Sequence, residues 1–411
     1  MNKVVVIGGG PAGMMAAGKA ASLGNEVVII EKNEKLGKKL FITGKGRCNF
    51  TNDCDIEELF DNVITNKKFL YSAFYSFSNM DTIAFFNQLG LKEKVERGGR
   101  VFPASDKSSD VIKAMEKYLA QNNVEIMLNT KVKDIIISDK KASGVILQNN
   151  VEIKADKIIL ATGGLTYPQT GSTGDGFDFA QKTGHKVKSP RGALIPLVSD
   201  DGFIKELQGL SLRNIKATLF ESDKKKTEMF GEMIFTHFGL SGPVILSMSS
   251  FMKENKKYRI EIDLKPALDM QTLDKRLQRD FDKYSNKQFK NSLDDLLPQR
   301  LIPIVVEMSK IKEDKRVNQV SKEERQKLAE VLKGFSVNIK SKADIHLGII
   351  TSGGVEAREI DPSTMESKKI SGLYFAGEII DVDAMTGGFN LQIAFSTGYL
   401  AGLLESRGDK N

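Results

Sequence analysis

Residues 8–13 read Gly-Gly-Gly-Pro-Ala-Gly, which sets Gly8, Gly10 and Gly13 in a G-x-G-x-x-G pattern. A turn of this kind offers main-chain N–H groups to a phosphate at the start of a helix. Gly8 suits the sharp turn out of a strand. Gly10 lets a pyrophosphate approach the backbone, and Gly13 lets the helix pack on the strand. Glu31 follows 18 residues after Gly13, where a carboxylate can hold the hydroxyl pair of a ribose. In a chain with 36 glycines a lone match says little. Here a strand, a glycine turn, a helix, a second strand and an acid follow in order. An adenine dinucleotide is therefore the expected ligand.

Other residues could carry a reaction. Arg47 precedes Cys48 in a loop, 32–52, rich in Gly, Lys and amide side chains. Such a loop can offer N–H groups and cations to a phosphate or an oxidised flavin ring. A neighbouring cation lowers a thiol's pKa, which would make Cys48 a proton donor or charge-transfer partner. The plainer alternative is a small packed thiol, and the lack of a second Cys at redox spacing favours it. His237 sits in a glycine-punctuated loop, 231–243. A single His there is more often a hydrogen-bonded structural group than a catalyst.

These groups need a scaffold. Residues 4–7 are an apolar β-branched run that suits a strand buried in a parallel sheet. An Ala-rich helix is expected over 11–23, opened by Pro11 and stopped by Gly24, then a strand over 26–30. A helix over 80–89, capped by Asn79 and ended by Gly90, comes next. Another is expected over 109–122, with Val111, Ile112, Met115, Tyr118 and Leu119 on one side. Short strands at 124–128, 131–138, 143–147 and 151–154 read as a meander. Residues 157–160 return to the parallel sheet and end at Ala161-Thr162-Gly163-Gly164, where backbone can touch a ligand.

Composition changes near Pro190. Residues 193–198, 215–221 and 258–264 alternate apolar and polar side chains, the pattern of half-buried antiparallel strands. Pro243 opens an expected helix over 244–251. Residues 266–340 are charged and read as helical. Leu273, Leu277 and Phe281 share a face, and Ser321 with Glu324 forms a capping box. Residues 373–378 read as a strand ending in Gly377 and Glu378. Gly387 and Gly388 precede an amphipathic helix over 391–404, whose dipole end could stabilise charge on a reduced flavin. An NAD domain does not need this returning segment; an FAD domain of the glutathione-reductase type does. No second G-x-G-x-x-G follows a strand, so no separate NAD(P) domain is expected.

The 411 residues are 40% apolar and 27% charged, ordinary for a soluble globular protein of two or three domains. No apolar run reaches the length of a membrane span. Met1 leads straight into a core strand, which leaves no room for a signal peptide. Two cysteines (Cys48, Cys54) and three histidines (His185, His237, His346) argue against a metal site and suit a reducing cytoplasm. The net charge of +7 suits a nucleic acid or an anionic substrate. The basic side chains are mixed with acids, however, so solvated helix faces are the favoured reading.

Together, the motifs at 8–13, 44–49, 161–164, 236–243, 376–378 and 387–390 resemble a family of bacterial FAD-binding flavoproteins. Its members include aminoacetone oxidase-like proteins and reductases of 3-oxo bile-acid intermediates. The resemblance covers essentially the full chain. It implies a Rossmann-type α/β fold with an FAD-binding domain in two segments, 1–190 and 341–411. It also implies an inserted antiparallel β-barrel-like domain, 191–265, and a small helical insert, 266–340. Noncovalent FAD is implied, with NADH or NADPH as electron donor. Gly8, Gly10, Gly13 and Glu31 match the ADP-binding part, and Arg47, Cys48 and Asn49 a loop near the flavin. Gly377, Glu378, Gly388, Phe389 and Asn390 match the ribityl and pyrimidine end. Pro11, Ala12, Lys32, Lys39, Thr43, Gly44, Val132, Ala161, Thr162, Gly163, Asp381 and Gly387 complete the expected cofactor-binding set. The catalytic candidates are Lys45, Cys48 and His237. Ser241 is a further donor, and Arg97 or Arg100 could pair with a substrate carboxylate. The expected reaction is hydride transfer through flavin N5 to the β-carbon of a conjugated, 3-oxo steroid-like ketone. Oxidation of a small aminoketone with O2, a tRNA-modifying role and a non-catalytic flavin carrier stay open. A small-molecule substrate is expected, with no membrane partner and nucleic acid disfavoured.

Overall fold

The computed structural model describes residues 1–253 and 255–405, and of Lys45 the backbone alone. The catalytic candidate's side chain at Lys45, and the end of the returning segment, 406–411, thus lie outside the described residues. Two compact units emerge: Met1–Ala193 with Ile345–Asn411, and Leu194–Asp344.

The first unit is built on a five-stranded parallel sheet. In chain order its main elements are β1 (Lys3–Ile7), α1 (Pro11–Ser22), β2 (Glu26–Ile30), β3 (Glu125–Met127), β4 (Lys157–Leu160), β5 (Leu373–Phe375) and α2 (Phe389–Gly402). The sheet order is β5-β4-β1-β2-β3. β1 sits at its centre, with Val5 opposite Val28 on one side and Ile158 on the other. Val4, Val5 and Val6 are wholly buried, which is why this strand is apolar on both faces. Each such side chain contributes roughly 1.5–3 kcal/mol by burial. The segment 124–128 was expected in the meander; β3 instead closes the edge of the parallel sheet. Five mostly apolar residues cannot reveal which sheet they join. The meander itself comprises Val132–Ser138, Lys141–Leu147 and Glu152–Lys154.

α2 is not the amphipathic helix its segment suggested. It is buried on nearly every side, and its polar Gln392, Ser396 and Thr397 all find partners. Its close neighbour is α1. A Cβ at Gly398 or Gly402 would come within 2.4 or 2.6 Å of the carbonyl oxygens of Ala12 and Ala16. The helix Asn79–Gln88 is capped by Ser78 in a capping box with Asp81, not by Asn79. Asn79 instead turns inward, and its amide donates to the carbonyls of Asn52 and Cys54.

The second unit carries a seven-stranded antiparallel sheet. Its order is Phe335–Ile339, Tyr258–Asp263, Ser211–Glu221, Lys224–Phe235, Gly239–Ser241, Leu197–Val198, Ser341–Lys342. Its two end strands are consecutive in the chain, joined through Lys340, so the sheet curls round on itself. Lys224–Phe235 was not anticipated. Its outer half is polar on both faces, and only pairing with Ser211–Glu221 makes it a strand. Phe335–Ile339 lies in the stretch read as helical, and the expected strand over 193–198 is broken. Val187–Ala193 pairs with Ile350–Val355 in the first unit, while Leu197–Val198 belongs to the second. The helix Met270–Lys283 buries Leu273, Leu277 and Phe281 in one core with the sheet, and Ser321 and Glu324 form their capping box. Among the described residues no helix is long and apolar enough to cross a membrane.

Candidate cofactor site and active site

The glycine turn divides its work as its spacing implies. Gly8 has φ +107° and lies so close to β4 that a Cβ would stand 2.5 Å from the Ala161 oxygen. A Cβ on Gly13 would stand 1.9 Å from the Gly8 oxygen. Gly10 differs: no heavy atom lies within 4 Å of where its Cβ would be. This is the open side of the turn, where Pro11 starts α1 and its first N–H groups have no helical partner. Ala12 faces the other way and packs on Gly377, whose absent Cβ would be 2.8 Å distant.

Glu31 leaves β2 almost buried. Its Oε2 accepts the Gly9 N–H at 2.7 Å, and its Oε1 accepts the main-chain N–H and amide of Asn33 at 2.8 and 2.6 Å. Three donors on two carboxylate oxygens leave lone-pair capacity for a ribose hydroxyl. A cleft of about 640 Å³ opens beside it, lined by Lys32, Asn33, Asn129, Lys131, Gln148 and Asp175 among others. Lys32 spans this cleft to Asp175 at 2.8 Å. Val132, expected at the cofactor, is buried directly after the lining Lys131.

A second cluster gathers residues far apart in sequence. The Lys39 ammonium donates to both oxygens of Glu378, at 2.9 and 2.7 Å, and to Thr166 at 2.8 Å. Glu378 Oε1 also accepts the Thr351 N–H at 2.7 Å. Gly164 makes room, since a Cβ there would meet Thr351 and Glu378. Sequence reasoning named Lys39 and Glu378 but missed Thr166, Thr351 and the segment Ser352-Gly353-Gly354. The available signal was the glycine pair: Gly353 and Gly354 have φ of +90° and +124° inside a fully buried strand.

The loop after Thr43 bears on the two readings of Cys48. Cys48 is fully buried with φ +58°, and its N–H donates to the Thr43 oxygen at 3.1 Å. Burial pushes its thiol up to about 12, against a weaker opposing hydrogen bond from Thr43. A thiolate made accessible by Arg47 is therefore absent. Arg47 turns away, clamped between Glu96 and Asp106 and stacked over Phe102 at 4.3 Å. Gly44, with φ +57°, lies against the Asn49 N–H.

Gly387 and Gly388 lead into α2 at φ +134° and +100°. A Cβ at Gly388 would come within 2.3 Å of the Thr51 oxygen. Phe389 is buried, and the Asn390 side chain braces the loop by accepting the Ala384 N–H at 3.0 Å and donating to its carbonyl at 2.8 Å. Asp381 is likewise engaged, by Lys188 at 2.6 Å and Asn66 at 2.9 Å. Asn49 Oδ1 and Thr162 Oγ1 are buried with no hydrogen-bond partner. Gly163, next to Thr162, has φ +74°. Unpartnered buried polar atoms at the ends of two such loops fit a large polar cofactor.

His237 and Ser241 lie in the second unit. His237 is exposed on the turn after Lys224–Phe235, its ring edge against Phe238 at 4.9 Å. Ser241 ends the next strand, opposite Ile234. Arg97 and Arg100 lie on one turn of the first unit, where Arg100 Nε donates to the Arg97 oxygen at 3.0 Å.

Residues 2–404 match the HI0933-like protein Rossmann domain family. The chain is 31% identical over 409 residues to a 3-dehydro-bile acid delta(4,6)-reductase of Clostridium scindens, covering 98% of each. It is 29% identical over 409 residues to a ribosomal RNA dihydrouridine synthase of Haemophilus influenzae, again covering 98% of each. In fold it is similar to a 3-ketosteroid delta1-dehydrogenase from Sterolibacterium denitrificans, with a TM-score of 0.54 at 12% identity over 98% of both chains. The glycine turn with its acid, the returning segment and this full-length match agree: the chain belongs to the HI0933-like FAD-binding Rossmann family and is an FAD-dependent oxidoreductase.

Proposed function

We propose that this protein is an NAD(P)H-linked reductase that adds hydride and a proton across a carbon–carbon double bond conjugated to a carbonyl. The observation that carries this reading is the full-length likeness to two relatives whose names imply reduction of one bond type, a carbon–carbon double bond conjugated to a carbonyl. A 3-oxo delta(4,6) steroid is a conjugated dienone. The 5,6 double bond of uracil is conjugated to its C4 carbonyl. In both, hydride adds at a carbon conjugated with the carbonyl: the β-carbon or, through the second double bond of the dienone, the δ-carbon.

FAD, when bound, supplies the two-electron carrier between nicotinamide and substrate. The chain's residues bind and orient. Gly8–Gly13 and Glu31 hold the ADP half. The Lys39–Glu378 pair ties residues 39 and 166 to residues 351 and 378 of the returning segment. The N-terminal end of α2, after Gly387 and Gly388, favours negative charge. Reduction also builds negative charge on the substrate's carbonyl oxygen, so donors are needed there.

The bulky 3-oxo ketone is the first substrate reading. A uracil within folded RNA is the second, favoured by the net charge of +7. Lys224, Lys253, Lys256 and Lys257 also stand exposed near the Ser211–Glu221 and Lys224–Phe235 hairpin. Anaerobic mixing tests both. A 4-en-3-one steroid should reoxidise the NAD(P)H-reduced flavin. For the second reading an unmodified ribosomal RNA transcript should do so, with binding that weakens steeply with salt. If aminoacetone bleaches the oxidised flavin while the reduced flavin ignores both probes, the reductase reading fails.

A further inference from the structure

We infer that Asp383 is a proton-holding residue of this site, a buried neutral carboxylic acid that feeds the reduction through Ser352. The inference rests on the reading above, in which each turnover adds one proton beside the hydride.

Asp383 lies between Glu378 and Gly387, two members of the cofactor set. It is 1% exposed and sits in a two-residue strand opposite Thr65. Its Oδ1 accepts the Ser352 hydroxyl at 3.0 Å, and Ser352 is itself 3% exposed. Among the described residues no cation reaches ion-pair distance of Asp383. Asp381, two residues earlier and equally buried, is the contrast. Lys188 stands 2.6 Å from it and Asn66 donates to it, so its charge is answered.

A buried carboxylate without a cation is costly, and the cost favours the protonated form. The neighbouring Asp381 charge acts in the same direction. Burial is the largest influence and moves the Asp383 carboxyl above the usual range. The hydrogen bonds from Thr65 and Ser352, and the field of Arg191, oppose it. Arg191 stands opposite Ser352 on the adjoining strand but is exposed, so water screens it.

Ser352 adjoins Thr351, which binds Glu378, and the strained pair Gly353-Gly354. In the step, the Ser352 hydroxyl turns from Asp383 Oδ1 towards the substrate, and the Asp383 O–H bond breaks as its proton passes to the Ser352 oxygen. The hydroxyl's own proton would move on to the substrate's α-carbon; bound FAD, reduced by NADH or NADPH, would supply the hydride for the β-carbon. Asp383 is left as a carboxylate, accepts the Ser352 hydroxyl again and recovers a proton from solvent.

The test is infrared spectroscopy of the FAD-loaded protein at neutral pH. The carbonyl band of a protonated carboxyl should vanish in Asp383→Asn and persist in Asp381→Asn. If Asp383→Asn does not fold, Ser352→Ala should keep the band and shift it, since the acid loses its partner. An unchanged band in either variant overturns the assignment. Single-turnover reoxidation by a 4-en-3-one steroid tests the relay. Asp383→Asn should slow it roughly 10²-fold and abolish its solvent isotope effect, as loss of a proton donor does. Reduction by NAD(P)H should be unaffected. Equal slowing of both half-reactions means a structural role and overturns the relay. If the wild-type flavin ignores every enone, the proposed reaction falls and the relay with it, while the infrared result still decides the charge state of Asp383.

Discussion

The sharpest test of the glycine turn compares Gly10→Ala with Gly13→Ala. Both add one methyl to the same six-residue stretch, yet they should act on different quantities. At Gly13 the new Cβ would be 1.9 Å from the Gly8 oxygen, and neither backbone can retreat without disturbing β1 or α1. Overpacking of this kind costs roughly 1–3 kcal/mol. At Gly10 the new Cβ meets nothing within 4 Å, and the backbone, at φ −79° and ψ −179°, suits any residue. Alanine is a poorer N-cap than glycine by about 0.5–1 kcal/mol. It also removes about 0.4–1 kcal/mol of unfolded-chain entropy. The two nearly cancel, so the apoprotein should melt within a degree or two of the wild type. FAD affinity should fall at least tenfold, about 1.4 kcal/mol, because the methyl occupies the path of the pyrophosphate. Differential scanning fluorimetry of apoprotein and flavin-fluorescence titration separate the two effects. Wild-type FAD affinity in Gly10→Ala would refute the view that this open face is the ligand's.

Three other outcomes follow from the geometry. Lys39→Met leaves the half-buried Glu378 carboxylate without its cation; with both side chains about 20% exposed, the loss should lie between surface and buried pairs, about 1–3 kcal/mol, read as a lower Tm and weaker FAD retention. Cys48→Ala should keep the flavin spectrum and turnover, and native Cys48 should resist alkylation at pH 8. The folded thiol titrates near 12 and the unfolded one near 9.0, so its contribution to stability is complete below pH 9 and is lost as pH rises from there towards 12; a urea-melt series from pH 8 to 10.5 should show wild type losing more stability than Cys48→Ala. Ser321→Ala removes a capping box in the second unit and should cost about 0.5–2 kcal/mol with no change in FAD affinity, so any flavin loss there would contradict the assignment of the cofactor to the first unit.

Local rules carried the nucleotide-binding half a long way. β1, β2, β4 and α1 fall where β-branched runs, Pro11 and Gly24 put them, because a buried parallel strand and a glycine turn impose constraints within a few residues. The glycines and Glu31 were legible for the same reason. What escaped was set by partners distant in sequence. The polar strand Lys224–Phe235 exists through its pairing with Ser211–Glu221, and β3 joins the parallel sheet through β2. Whether α2 shows one face or none to solvent depends on what surrounds it. The site divides along the same line. Residue types named Lys39, Glu378, Cys48 and Arg47, but charge and burial are properties of neighbours. Lys39 finds Glu378 across 339 positions, Arg47 is taken by Glu96 and Asp106, and the Cys48 thiol is buried beyond the reach of the cation beside it in sequence. Asp381 and Asp383 stand two residues apart and read alike as a sequence. Only the fold gives one a lysine and the other a serine, because electrostatic pairing falls off with distance in space and takes no account of distance along the chain.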